Sequence, residues 1–339
     1  MTRGQNYIGG EWISASGSTF VSEDPATGET LWRGQSSTIQ DIDDAVSAAR
    51  SALPNWAQSE QRRRDALSRF QQALESRAEE LSVTISREVG KPLWDARTEV
   101  QAMIGKIAVS ISALERRRSE EQITLGGQNL ATRYKPHGVM AVFGPFNFPG
   151  HISNGHIVPA LLAGNAVVFK PSELTPLVAE LTIQVWEGCG LPPGVLGLVQ
   201  GSRETGQALV NHPDINGVLF TGSLKAGLAI SRVLADRPEV LLALELGGNN
   251  PLVVHDVADV DAAVYAAIQS AYLTSGQRCT CARRLIVPDG NDEFIERFIQ
   301  VARGLKVGHP RDECQPFMGS LIHAAAVDRV LEEQRRLLD

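Results

Sequence analysis

Between Gly138 and Leu246 the chain repeats one pattern: short apolar runs at residues 139–143, 166–169, 195–199, 218–220 and 240–246, separated by stretches of helical character. Alternation of this kind builds a parallel sheet wrapped by helices on both faces, because a parallel crossover needs a long connection. The expected fold class is therefore α/β. Open sheets of this type bind ligands beyond the carboxyl ends of their strands. The residues with the most chemistry fall there: Asn147 after the first strand, Lys170 after the second, Gly222-Ser223 after the fourth and Glu245 at the end of the fifth.

The flanking segments read differently. Residues 41–53 have helical spacing, Ser59 is placed to cap a long amphipathic stretch to Val89, and Gly90 with Pro92 punctuates before a helix over 94–116. Residues 123–134 read as a strand pair around Gly126-Gly127, an arm suited to assembly or to folding. Beyond the sheet come a strand at 251–254, a helix at 260–275, a loop holding Cys279, a strand at 285–287 and helices at 294–305 and 324–338. With 339 residues, 43% of them hydrophobic, the chain can build two domains with substantial cores.

Charge and cysteine usage narrow the partners. The formal net charge is −7, and the runs Arg62-Arg63-Arg64 and Arg116-Arg117-Arg118 read as solvated helix faces, which argues against a nucleic-acid partner. Cys189, Cys279, Cys281 and Cys314 lack paired metal-ligand spacing, and no segment has the length and apolarity of a signal core or a membrane span. Reduced thiols, a cytoplasmic location and no membrane partner are the expectation.

Several residues carry a chemical reading beside a structural one. Cys279 is either a small packed residue or a thiol nucleophile, and Glu245, between an apolar run and two glycines, is either a solvated strand end or a base. Together they suit covalent chemistry on a carbonyl: a thiolate adds to an aldehyde, and a carboxylate activates the water that hydrolyses the resulting thioester. Asn147 either satisfies its own turn or offers an amide donor to an oxyanion. Gly222-Ser223-Leu224-Lys225-Ala226-Gly227 follows a strand and opens a helix, so it serves as an ordinary turn or as a phosphate cradle. Lys170 and Glu173 are ordinary strand-end residues or partners of a ribose and its phosphates. His151 and His156 have no third ligand in register, so no metal site is expected, and Cys281 reads as a packed or redox-sensitive neighbour of Cys279.

These runs converge on a family. The stretches Pro145-Phe146-Asn147-Phe148-Pro149, Lys170-Pro171-Ser172-Glu173, Phe220-Thr221-Gly222-Ser223, Glu245-Leu246-Gly247-Gly248 and Gly276-Gln277-Arg278-Cys279 stand in the order found in the NAD(P)-dependent aldehyde dehydrogenases, which the chain resembles from about Tyr7 onward. The resemblance implies an atypical Rossmann dinucleotide-binding domain formed by residues 1–117 and 137–247, an oligomerisation arm at 118–136, and an incomplete α/β catalytic domain at 248–339. It implies Cys279 as nucleophile, Glu245 as activator of water, and Asn147 with the Cys279 backbone N–H as the oxyanion site. Lys170 and Glu173 would hold the adenosine ribose, Gly222 to Gly227 the pyrophosphate, with Phe146 also on the cofactor side. NAD is the implied cofactor and a homo-oligomer the implied assembly.

Longer matches, including Asn154-Gly155-His156-Ile157-Val158-Pro159-Ala160 and Cys279-Thr280-Cys281-Ala282-Arg283-Arg284, resemble one branch of the family, whose small-molecule aldehyde substrate carries several carboxylates. Arg278 and Lys106 are the expected cations for that substrate. The family pattern also contains a later Glu-x-Phe-Gly-Pro motif that this sequence lacks. The expectation is a C-terminally truncated member with an exposed sheet edge and exposed apolar surface. Two other functions compete with aldehyde oxidation: a non-catalytic fragment that binds nucleotide or other subunits, and a CoA-acylating or acyl-phosphate enzyme, against which Glu245 argues.

Overall fold

The computed structural model describes residues 3–118 and 120–339. Two hairpins come first, β1 (Asn6–Ile8) with β2 (Glu11–Ile13), and β3 (Thr19–Glu23) with β4 (Thr30–Gln35). A helical layer follows: α1 (Ile39–Ala57), α2 (Glu60–Ser76), α3 (Ala78–Val89) and α4 (Leu93–Arg117). A capping box starts α1, in which the Asp41 backbone N–H donates to Thr38 Oγ1 at 3.2 Å and the Thr38 N–H donates to the Asp41 carboxylate at 2.7 Å. The single helix expected up to Val89 is instead broken at Arg77, where φ is −111° and ψ 17°. A straight helix over those residues would run about 45 Å. The break turns the chain back so that Phe70 and Leu74 on α2, and Leu81 and Ile85 on α3, enter one core.

An exposed hairpin, β5 (Glu121–Leu125) and β6 (Gln128–Thr132), turns through Gly126 and Gly127 at φ 58° and 77°, the left-handed pair that a two-residue hairpin turn needs. The alternation then unfolds as β7 (Val139–Phe143), α5 (His151–Leu162), β8 (Ala166–Lys170), α6 (Pro176–Trp186), β9 (Leu196–Leu198), α7 (Arg203–Asn211), β10 (Gly217–Thr221), α8 (Leu224–Val233) and β11 (Leu241–Glu245). One seven-stranded sheet collects them in the order β11-β10-β7-β8-β9-β1-β2. The five strands from β11 to β9 are parallel, whereas β1 joins β9, and β2 joins β1, antiparallel. The sheet is thus mixed, with an antiparallel N-terminal edge that the apolar runs alone did not reveal. The chain leaves β7 outward through β8 and β9, then returns to β7's other side for β10 and β11, so the crossovers diverge at β7.

Both faces of the sheet are buried, and strand periodicity divides the core. Met140, Val142, Val167, Phe169 and Leu198 face α2 to α6, while Val139, Ala141, Phe143, Val168 and Val218 face α1 and α7. The remaining elements are β12 (Asn250–Val253), α9 (Val260–Tyr272), β13 (Ala282–Ile286), α10 (Asp292–Arg303) and α11 (Ala324–Leu338). The helix expected to reach Ser275 ends at Tyr272 and gives way to a tight turn, Leu273–Gly276. Parallel strands β12 and β13 form their own sheet, over which α9 and α10 close a small core around Val264, Ile268 and Phe294. Val253, Ile286 and, on α11, Val330 are exposed, and β11 is the outer strand of the large sheet. Among the described residues no helix is long and apolar enough to cross a membrane.

Candidate active site

Cys279 is exposed and sits just after a strained turn. Thr274, Ser275 and Gly276 take positive φ values of 55°, 56° and 72° in succession. A β-branched residue there is a backbone outlier that persists only when its surroundings hold it. Three contacts do so: Thr274 Oγ1 donates to Asp95 Oδ2 at 2.6 Å, Arg278 Nε donates to Thr274 Oγ1 at 2.8 Å, and Ser275 Oγ donates to the Gly319 carbonyl at 2.9 Å. On the far side, Asn250 Nδ2 donates to the carbonyls of Cys279 at 2.7 Å and Cys281 at 3.1 Å. Cys281 is buried.

Asn147 lies in the turn between β7 and α5, buried, with Nδ2 donating to the Gln277 carbonyl at 2.8 Å. That bond joins the Asn147 turn to the Cys279 loop and leaves the second amide N–H for another acceptor. The turn itself is held from α4 and its approach. Glu99 Oε1 accepts the backbone N–H groups of Gly150 and His151 at 2.8 and 3.0 Å, and Lys91 pairs with Glu99 and donates to the Asn147 carbonyl at 3.2 Å. Two cations lie over the Phe148 ring, Lys91 Nζ 4.0 Å and the Arg278 guanidinium 4.8 Å from its centroid.

Glu245 is exposed at the end of β11, in register with Thr221 of β10. Its carbonyl accepts the Gly222 N–H at 3.0 Å. Two residues after Leu246, the backbone passes so near the Cys279 loop that a Cβ on Gly248 would overlap the Cys279 carbonyl oxygen. The Glu245 motif and the Cys279 motif therefore meet through Gly248. On the same side His156 Nε2 lies 2.9 Å from Thr221 Oγ1, and burial, then Lys106, pushes its imidazole down to about 4.

The proposed nucleotide side follows the strand ends. Lys170, at the end of β8, is buried; its Nζ donates to the Pro171 carbonyl at 2.5 Å, and burial pushes its ammonium down to about 8 against the opposing effect of Glu173. Glu173 is exposed and Phe146 is half-buried. Ser223 caps α8, its Oγ accepting the Ala226 N–H at 3.2 Å, while Leu224 and Lys225 in the first turn are exposed. Gly227 is buried against Leu246, which a Cβ would overlap. Its missing side chain makes room for Leu246, which follows β11.

The two expected substrate cations stand in different surroundings. Arg278 Nη2 bonds Asp95 Oδ1 at 2.8 Å, its Nε bonds Thr274, and its Cζ lies over the Phe148 ring, so its charge is matched inside the protein. Lys106, by contrast, has no ion-pair partner among the described residues and runs beside Gly155, where a Cβ would sit 3.9 Å from Nζ. Sequence reasoning missed Lys91, Asp95, Glu99 and Thr274. A signal for two of them was present: Asp95 and Glu99 fall one helical turn apart on the stripe of α4 that also carries Ala96, Val100 and Met103, where apolar residues belong.

Comparison with known proteins is consistent along the chain. The model of the aldehyde dehydrogenase family matches residues 12–337. N-succinylglutamate 5-semialdehyde dehydrogenase of Pseudomonas fluorescens (strain Pf0-1) is 51% identical over 335 residues, covering 98% of this chain and 69% of that protein. The crystal structure of HpcC from Thermus thermophilus superposes with a TM-score of 0.92 at 32% identity, covering 97% of this chain and 65% of that one. The structure of 3,6-anhydro-L-galactose dehydrogenase in complex with NAP gives 0.90 at 33% identity, over 96% and 69%. The chain thus spans about two thirds of the length of these relatives. Matched over nearly its whole length in sequence and in fold, it belongs to the aldehyde dehydrogenase family.

Proposed function

We propose that the chain oxidises N-succinylglutamate 5-semialdehyde to N-succinylglutamate, with NAD as electron acceptor. The observation that carries this reading is the convergence at the Cys279 loop: the Asn147 amide bonds Gln277, and Gly248 packs on the Cys279 carbonyl. A thiol, an amide donor and the segment that begins with Glu245 share one small region beyond the strand ends. The similarity to N-succinylglutamate 5-semialdehyde dehydrogenases supports the substrate.

The Cys279 thiolate adds to the aldehyde carbon, and the oxygen takes the negative charge beside the free N–H of Asn147 and the Cys279 backbone N–H. A bound nicotinamide supplies the acceptor for the hydride lost from that carbon. Glu245 then removes a proton from water, whose oxygen attacks the thioester carbon, and the acid leaves as Sγ departs as thiolate. The chain's residues suit a dinucleotide: the exposed first turn of α8 presents backbone N–H groups, and Lys170 offers a buried cation beside an exposed carboxylate, Glu173. Glu173 favours a free 2′-hydroxyl over a 2′-phosphate, hence NAD over NADP. Lys106 is the cation assigned to a substrate carboxylate.

NADH formation by the purified chain with the semialdehyde tests the reading. Cys279→Ala is expected to abolish turnover, and Glu245→Gln to give about one equivalent of NADH per chain before stalling at the thioester. Turnover that survives Cys279→Ala would overturn it.

A further inference from the structure

Two segments far apart in sequence are held from the first turns of α4 and the residues leading into it. Glu99 and Lys91 hold the Asn147 turn, and one α-helical turn earlier Asp95 holds the Cys279 loop. Asp95 is 1% exposed in its side chain, and both carboxylate oxygens are engaged. Oδ2 accepts the Thr274 hydroxyl at 2.6 Å, and Oδ1 accepts Arg278 Nη2 at 2.8 Å. The Thr274 hydroxyl in turn accepts from Arg278 Nε, which closes a ring of three side chains.

We propose that Asp95 is a positioning residue for the Cys279 loop, acting through Thr274 and Arg278 to hold the left-handed turn that places the nucleophile against Asn147. The inference rests on Cys279 being the nucleophile. A left-handed Thr274 followed by a left-handed Ser275 is intrinsically unfavourable backbone. Without its hydroxyl bond to Asp95, Thr274 loses the contact that opposes its return to ordinary backbone geometry. Relaxation there moves Gln277, whose carbonyl holds the Asn147 amide, so nucleophile and oxyanion donor shift together. Arg278 is a member of this brace, and Arg278→Leu lowers kcat for anionic and neutral aldehydes alike, in contrast to a cation that reads the substrate.

The test uses the full chain with Asp95→Asn, Thr274→Val and Thr274→Ser. Asn keeps the shape of Asp95 but offers one acceptor where two donors converge, Val removes only the hydroxyl, and Ser keeps the hydroxyl. Asp95→Asn and Thr274→Val are expected to lower kcat on the order of 10²-fold, with KM for the aldehyde changing less than about twofold. Thr274→Ser is expected to retain wild-type kcat. Amide exchange in the peptide covering residues 273–280 rises in the first two variants and not in the third, a readout that needs no turnover. Combining Asp95→Asn with Thr274→Val adds little to either alone, because both break one ring.

Unchanged exchange over 273–280 in both variants overturns the proposal, whatever the activity. So does a loss of NAD binding that parallels the loss of kcat, since that marks general damage. If Asp95→Asn fails to fold, Thr274→Val and Thr274→Ser carry the test. Failure of the underlying reading shows separately, as turnover that survives Cys279→Ala.

Discussion

Burial and the nearby Lys106 keep His156 neutral at ordinary pH, so the imidazole bonded to Thr221 acts as a hydrogen-bonding group rather than a charge. Its folded pKa of about 4 lies below the ordinary 6.5, so the unfolded chain binds more protons between those values. The contribution of His156 to stability is complete above about pH 6.5 and is lost as pH falls toward 4. Replacing it with Gln should flatten the decline of the melting temperature over that window, measured against wild type. Lys170 titrates in a different range. Its ammonium, lowered to about 8, loses its proton as pH rises through that value, and with the proton goes the charge proposed to meet the nucleotide. NAD affinity should fall between about pH 7 and about pH 9 in the wild type and stay flat in Lys170→Met, read by fluorescence titration.

Among the elements, the first turns of α4 and the Gly90-Lys91-Pro92 lead into them join several parts of the candidate site. Gly90 ends α3 at φ +78° and packs directly on Gly319, whose carbonyl accepts Ser275 Oγ. Leu93 N–H donates to the Pro310 carbonyl at 3.0 Å, and Trp94 Nε1 to the Pro316 carbonyl at 2.9 Å. The segment after α10 therefore docks on the same turns that hold Asn147 and Cys279. A buried ion pair anchors this junction, with Lys91 1% and Glu99 0% exposed. Glu99→Gln strands the Lys91 cation and should cost about 3–5 kcal/mol in urea unfolding. Adding Lys91→Met should recover part of that loss by removing the stranded charge.

At the scale of the whole molecule, the large sheet carries two buried faces while the hairpin β5–β6 is exposed along its entire length. Ile123 and Leu125 lie on one face of that hairpin, with Leu130 opposite Ile123, and all three are exposed. Two strands by themselves are marginally stable in water, so this apolar face suits a partner. A second copy of the chain is the partner that the expected oligomerisation arm would meet. Ile123→Ser with Leu125→Ser should lower the mass measured by light scattering while leaving near-ultraviolet circular dichroism unchanged, because neither residue touches the core.

Much was legible in the sequence because it depends on local order. Strand β7 falls where the apolar run at 139–143 lies, the turns carrying Asn147 and Gly222 follow their strands, and Lys170 ends its own, because alternation and turn residues act over a few positions. The broken helix at Arg77 and the antiparallel edge at β1 were not legible, since both depend on where the chain meets the rest of the sheet. The role of Arg278 shows the limit most clearly. Beside Cys279 in sequence it reads as a cation for an acidic substrate, yet its partner is Asp95, 183 positions away. Residue types and spacing determined which groups the chain could bring to a carbonyl. Only the tertiary structure decided which charges were already matched, because a buried ion pair is set by the packing of distant elements and leaves no local trace.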